Sequence, residues 1–71
     1  MHDITLTKVA RWDNQNGEWF ELYKRNNDPF DRWRVKSNTK KGDFDIDYLS
    51  RAACFAYMES EAAKLGMKRR P

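Results

Sequence analysis

A chain of 71 residues with one cysteine, Cys54, and one histidine, His2, cannot assemble an intrachain disulfide or a cysteine/histidine metal site. An apolar fraction of 39%, with 14% aromatic residues, is that of a folded chain rather than a disordered tail, although 35% of the residues are charged. The net charge of +3 resides in Lys68, Arg69 and Arg70, because residues 1–67 carry 11 basic and 11 acidic side chains; residues 1–67 read as a single domain and 68–71 as a basic C-terminal tail.

Ile4 to Trp12 has the β-branched content of a strand, with Ile4 and Leu6 inward if Thr5 and Thr7 face out. Val9 falls out of phase, so either a bulge resets the register there or Val9 is exposed. Asp13-Asn14-Gln15-Asn16-Gly17 is a turn signal, since Asn and Gly accept the positive φ of tight hairpins. Trp19 to Arg25 and Arg32 to Ser37 then alternate residue by residue, as two antiparallel strands do. Phe20, Leu22, Trp33 and Val35 form the inward set; Trp19, Glu21, Tyr23, Arg25, Arg32, Arg34 and Lys36 form the outward one. Between them, Asn26 to Asp31 reads as a β-turn with Pro29 at its first central position and Phe30 at its tip.

Asp43-Phe44-Asp45-Ile46-Asp47 alternates again and is either a short fourth strand or an extended approach to a helix. Three alternating aspartates invite a calcium reading, but Tyr48 stands where an EF-hand loop needs Gly and Cys54 where it needs a bidentate Glu, so no metal or other cofactor is expected. A helix is predicted from about Tyr48 to Leu65, capped by Asp47 or Ser50 and stopped by Gly66. Its apolar positions, among them Leu49, Phe55, Met58 and Leu65, span an arc of roughly 220° when projected at roughly 100° per residue, wider than one sheet normally covers. Cys54 reads as a small buried apolar residue. The expected fold is α+β: a three-stranded, or with residues 43–47 four-stranded, antiparallel sheet packed on one C-terminal helix.

No Gly-rich phosphate loop, no Ser or Cys with a His partner and no HExxH or CxxC is present, which points to a non-enzymatic protein. Signal-peptide and membrane-span patterns are lacking too, and the composition suits an intracellular, cytoplasmic setting. Charge is polarised: residues 24–41 sum to +5 and residues 42–61 to −4. Outward Trp19 and Tyr23 with Arg25, Arg32, Arg34 and Lys36, and Phe30 at the turn, fit the profile of protein-interface anchors. A protein partner is therefore favoured, and Phe55, Met58 and Leu65 offer a second interface, for instance with another copy in a homodimer. Small chains of this style include the stoichiometric inhibitors and adaptors that phages and mobile elements use against host nucleic-acid machinery such as a CRISPR complex, in which case the setting is the phage's host cell.

The alternative is sheet-face binding of DNA or RNA. The βββα order resembles, in topology alone, the plant ethylene-response-factor DNA-binding domain and the arm-site-binding domain of tyrosine recombinases. That resemblance implies a sheet face in the major groove, with Arg32, Arg34 and Lys36 on phosphates or guanine edges and Lys68, Arg69 and Arg70 as further phosphate contacts.

Overall fold

The computed structural model describes residues 4–47 and 50–71. Five strands and one helix follow in the order β1 (Thr5–Asp13), β2 (Trp19–Asn26), β3 (Trp33–Ser37), β4 (Phe44–Ile46), α1 (Arg51–Lys64) and β5 (Lys68–Arg69). The strands form one antiparallel sheet ordered β4-β3-β2-β1-β5, with the helix on one face. The α+β class and the helix-backed antiparallel sheet are those expected from the sequence. Residues 43–47 do supply a fourth strand. The fifth was not expected: Lys68 and Arg69 are no free tail but pair with Asp13 and Trp12 at the β1 edge.

Turn chemistry sets the register of the first hairpin. Asn14 closes it with its side-chain oxygen, which accepts from the backbone N–H of Asn16 (2.9 Å) and Glu18 (3.1 Å), while Gly17 takes a φ of +81° that a side chain would strain. The register then slips between Lys8 and Ala10, a bulge at Val9. Because strand side chains alternate, a one-residue slip reverses the faces of everything beyond it. Ile4 and Leu6, expected inward, are therefore exposed, and Leu6 pairs with outward Arg25; Thr5 and Thr7 take the other face, where both hydroxyls accept from the Asn26 side chain.

Ser50 caps the helix by accepting from the Ala53 N–H, and Gly66 (φ +67°) follows its last turn. The predicted helix start at Tyr48, and Leu49, lie outside the described residues, as do Met1, His2 and Asp3. Only a narrow stripe of the helix is buried, Cys54, Met58 and Ala62 at i, i+4 and i+8, with Phe55 half-buried beside it. The broad apolar arc is thus mostly exposed alanine, which supplies helix propensity rather than core. Met58 is fully buried, so it does not form an exposed patch with Phe55 and Leu65 as the sequence suggested.

The core joins that stripe to Phe20, Leu22, Trp33, Val35, Ile46, Met67 and Trp12. Trp12, unheralded in the sequence, is fully buried, packs against Phe55 with ring centroids 6.1 Å apart, and satisfies its indole N–H on Glu59 (3.1 Å). Burial pushes the Cys54 thiol up to about 11, as befits an inert core residue. The helix runs diagonally: Arg51 lies over Trp33 at one end, and at the other the Leu65 carbonyl accepts from the Asn14 side chain (2.8 Å). Lys41, in the β3–β4 turn, pins its flank by bonding the Tyr57 hydroxyl (2.6 Å) and Glu61 (2.7 Å). Among the described residues no helix is long and apolar enough to cross a membrane.

Candidate functional site: the uncovered sheet face

Since the helix covers one face only, alternate residues of the same strands stand on an open one. The pairing register lays them out in rows across the sheet. Asp45, Arg34, Tyr23 and Lys8 form one row; Lys36, Glu21 and Arg11 the next; Trp19, Asp13 and Lys68 the third. Trp19 and Tyr23 lie four residues apart on β2, about 13 Å along the strand.

Glu21 is the hub of this face. Its two oxygens accept separately, one from the Tyr23 hydroxyl (2.8 Å) and the other from Arg11 (2.6 Å), with Lys8 at 3.6 Å from the latter. The Tyr23 hydroxyl, and after it Arg11, holds the Glu21 carboxyl below the usual carboxylate range, and the same bond pushes the Tyr23 phenol up. Arg11 also reaches Asp13 (3.3 Å) and lies over the Trp19 ring at 5.2 Å. Asp13 is lowered chiefly by Arg70, which donates to both of its oxygens at 2.8 and 2.9 Å. Arg34 pairs with Asp45 (3.3 Å) and Asp43 (3.7 Å). Lys36 sits 5.0 Å from the centre of the Tyr23 ring and, among the described residues, has no carboxylate within ion-pair distance.

Of the residues singled out in the sequence, Trp19, Tyr23, Arg34 and Lys36 share this face. Arg25 and Arg32 have a different employment, which sequence reading missed. Both donate through Nε, at 2.8 and 2.9 Å, to one oxygen of Asp28, whose side chain is fully buried and whose other oxygen accepts from the Phe30 N–H (3.0 Å). Arg32, expected within the third strand, precedes β3 and locks the turn. Two guanidiniums and a backbone donor hold Asp28 well below the usual carboxylate range, Arg32 contributing most. The signal was present in Asp28 flanked by arginines at i−3 and i+4, a spacing that lets one turn carboxylate gather both. Phe30 is exposed at the turn, under the Arg32 guanidinium at 5.4 Å.

The three C-terminal cations do not converge. Lys68 faces outward beside Asp13, Arg69 turns toward the helix, 3.6 Å from Glu59, and Arg70 is held by Asp13. Nor do the three aspartates of residues 43–47 gather: Asp43 accepts from the Ser37 N–H and faces Arg34, which also holds Asp45, and among the described residues no group of acidic, cysteine or histidine side chains is placed to hold a metal. What the face can do is offer two aromatic surfaces set in a mixed-charge array whose ion pairs exchange readily for others.

Compared with protein-family models, with curated proteins and with solved structures, the chain matches none of them.

Proposed function

We propose that this chain is a small non-enzymatic binding module, of the inhibitor or adaptor kind, that engages another protein through its uncovered sheet face. The observation that carries this reading is the pairing of charge on that face. Arg11 and Arg34 each have a carboxylate beside them, Glu21 and Asp45 respectively. A nucleic-acid backbone would have to displace or sit next to those carboxylates, and affinity for it rests on cations free to replace condensed counterions. A protein surface of mixed charge meets both signs at once, and half-buried Trp19 and Tyr23 supply the anchors that protein interfaces favour.

Photo-crosslinking tests it. A benzoylphenylalanine at position 19 or 23 should trap a discrete polypeptide in cells expressing the chain, with the same yield after nuclease treatment, whereas the same probe at exposed Ala63 on the helix should not. DNA and RNA binding across a salt series supplies the opposite outcome. Tight binding with a steep salt slope, lost in the Arg34→Ala/Lys36→Ala variant, would establish the nucleic-acid reading instead.

A further inference from the structure

A second surface, along the β1 edge of the sheet, has a different chemistry. The diagonal helix leaves a wedge uncovered beside the middle of β1, a cleft of about 1000 Å³ between Lys8–Arg11, the start of α1 and the end of the chain. Val9 and Phe55 line its apolar part, and among the described residues its charged lining is basic: Lys8, Arg11, Arg51, Arg69 and Arg70. Arg51 and Arg69 both lie over Phe55, at 5.1 and 5.6 Å from its ring centre. Arg51 is exposed and, among the described residues, has no carboxylate partner.

The wall of this cleft is also an open strand edge. β5 pairs with β1 only at Trp12 and Asp13, and one further bond, from the Arg70 N–H to the Arg11 carbonyl (2.8 Å), ends the ladder. From Thr5 to Ala10 the outer edge of β1 has no strand beside it among the described residues. Unpaired edge groups are a template for one more strand. Joining basic rim, apolar floor and open edge, we infer that the cleft takes an extended acidic segment of a partner protein, added to the sheet as a strand in line with β5.

Charge selects this occupant over the alternatives. Arg11, Arg69 and Arg70 already have a carboxylate beside them (Glu21, Glu59 and Asp13), so the charge left to answer rests mainly on Arg51. A second copy would bring another Arg51 and, among the described residues, no acidic residue from the cleft, so self-association is opposed. The Val9 bulge and Lys8 likewise discourage indiscriminate strand addition. For an acidic strand the barrier becomes an attraction, carboxylates meeting Arg51 and Arg69 while alternate apolar side chains reach Phe55. A nucleic-acid strand would satisfy the cations but leave the edge donors and acceptors of β1 unpaired.

The test uses the full chain and a set of fluorescein-labelled octapeptides alternating Glu or Asp with Val, Ile or Tyr, their counterparts N-methylated at alternate residues, and an oligothymidylate. Binding is read by anisotropy at low salt, and amide hydrogen exchange by NMR. The expected result is saturable peptide binding that slows exchange of edge amides between Thr5 and Ala10, weakened on the order of tenfold or more both by N-methylation and by Arg51→Glu, an exposed change at a residue with no carboxylate partner among the described residues. Lys40→Ala, an exposed cation in the turn between β3 and β4, should leave it unchanged. The inference is overturned if no acidic peptide binds, if N-methylation has no effect, if oligothymidylate binds more tightly than any peptide, or if exchange of these amides slows with protein concentration alone, which would assign the edge to a second copy.

Discussion

The two faces of the sheet are built from the same strands, residue by residue, and differ in what their polar groups are for. On the helix side Trp12 is fully buried and its one polar atom is spoken for by Glu59; on the open side Trp19, a register row away on β2, keeps part of its ring in solvent under the Arg11 guanidinium. Apolar contact is the cohesion of the first face, and exchangeable ion pairs decorate the second. Losses on the covered face should therefore appear as stability, and losses on the open face as binding.

Trp12→Ala gives the largest effect expected. Removing a fully buried indole that touches the helix costs about 3–5 kcal/mol, a large part of the stability of so small a domain. Thermal denaturation should show the variant largely unfolded at 37 °C or melting far below wild type. A Trp12→Ala protein as stable as wild type would mean that the helix is held by something other than this contact. Asp28→Asn comes next. It keeps the side chain's shape but withdraws the charge that Arg25 and Arg32 share, so the melting temperature should fall clearly.

Acid sharpens that point. Asp28 lies below the usual range when folded, and Glu61, paired with Lys41 and then Lys64, lies at about 2 against an ordinary 4.5. A carboxyl lowered by folding contributes stability that is fully present above its unfolded value and is lost as pH falls through its folded one. Wild-type stability should thus hold down to about pH 4.5 and decline toward pH 2. In Asp28→Asn/Glu61→Gln the decline should be shallower, from a lower starting melting temperature. An unchanged slope would place the acid-sensitive pairs elsewhere.

The strands of the central hairpin were legible in the sequence because alternation and turn residues act locally. Phe20, Leu22, Trp33 and Val35 needed only their parity to be assigned inward, and all four are buried. Where the reading failed, a distant or cumulative effect was responsible. The slip at Val9 turned Leu6 outward from three residues away, and nothing in Thr5-Leu6-Thr7 announces it. Lys68 and Arg69 became a strand because the helix delivers them to the β1 edge, a placement set by its diagonal course rather than by their own propensity. A helical projection weighs every apolar residue alike and so leaves Met58 free to join a surface patch, whereas the sheet buries the stripe from Cys54 to Ala62 that contains it. Of the candidate site, the composition of the open face could be read, but not its pairing, since Arg25 and Arg32 alternate like the others and only the folded turn shows them turned to Asp28.

Substitutions on the open face bring the comparison down to small energies. Tyr23→Phe removes one hydrogen bond to a carboxylate that keeps its contact with Arg11, and should cost about 1 kcal/mol by chemical denaturation. Loss of several times that amount would show that the Glu21 network supports the fold as much as the core does.

Lys36→Ala should cost least. Lys36 touches the Tyr23 ring and, among the described residues, no carboxylate, so its removal leaves no buried charge and no cavity; stability should stay within about 0.5 kcal/mol of wild type. Yet Lys36 is the cation beside Tyr23 that, among the described residues, is bound to no carboxylate, and hence the one there readiest to answer a partner's acidic group. Crosslinking from position 23 should therefore fall in Lys36→Ala while the melting temperature does not move. If stability and crosslinking both stay as they were, the partner reaches Tyr23 without using Lys36, and Lys36 is only a solvated margin of the contact.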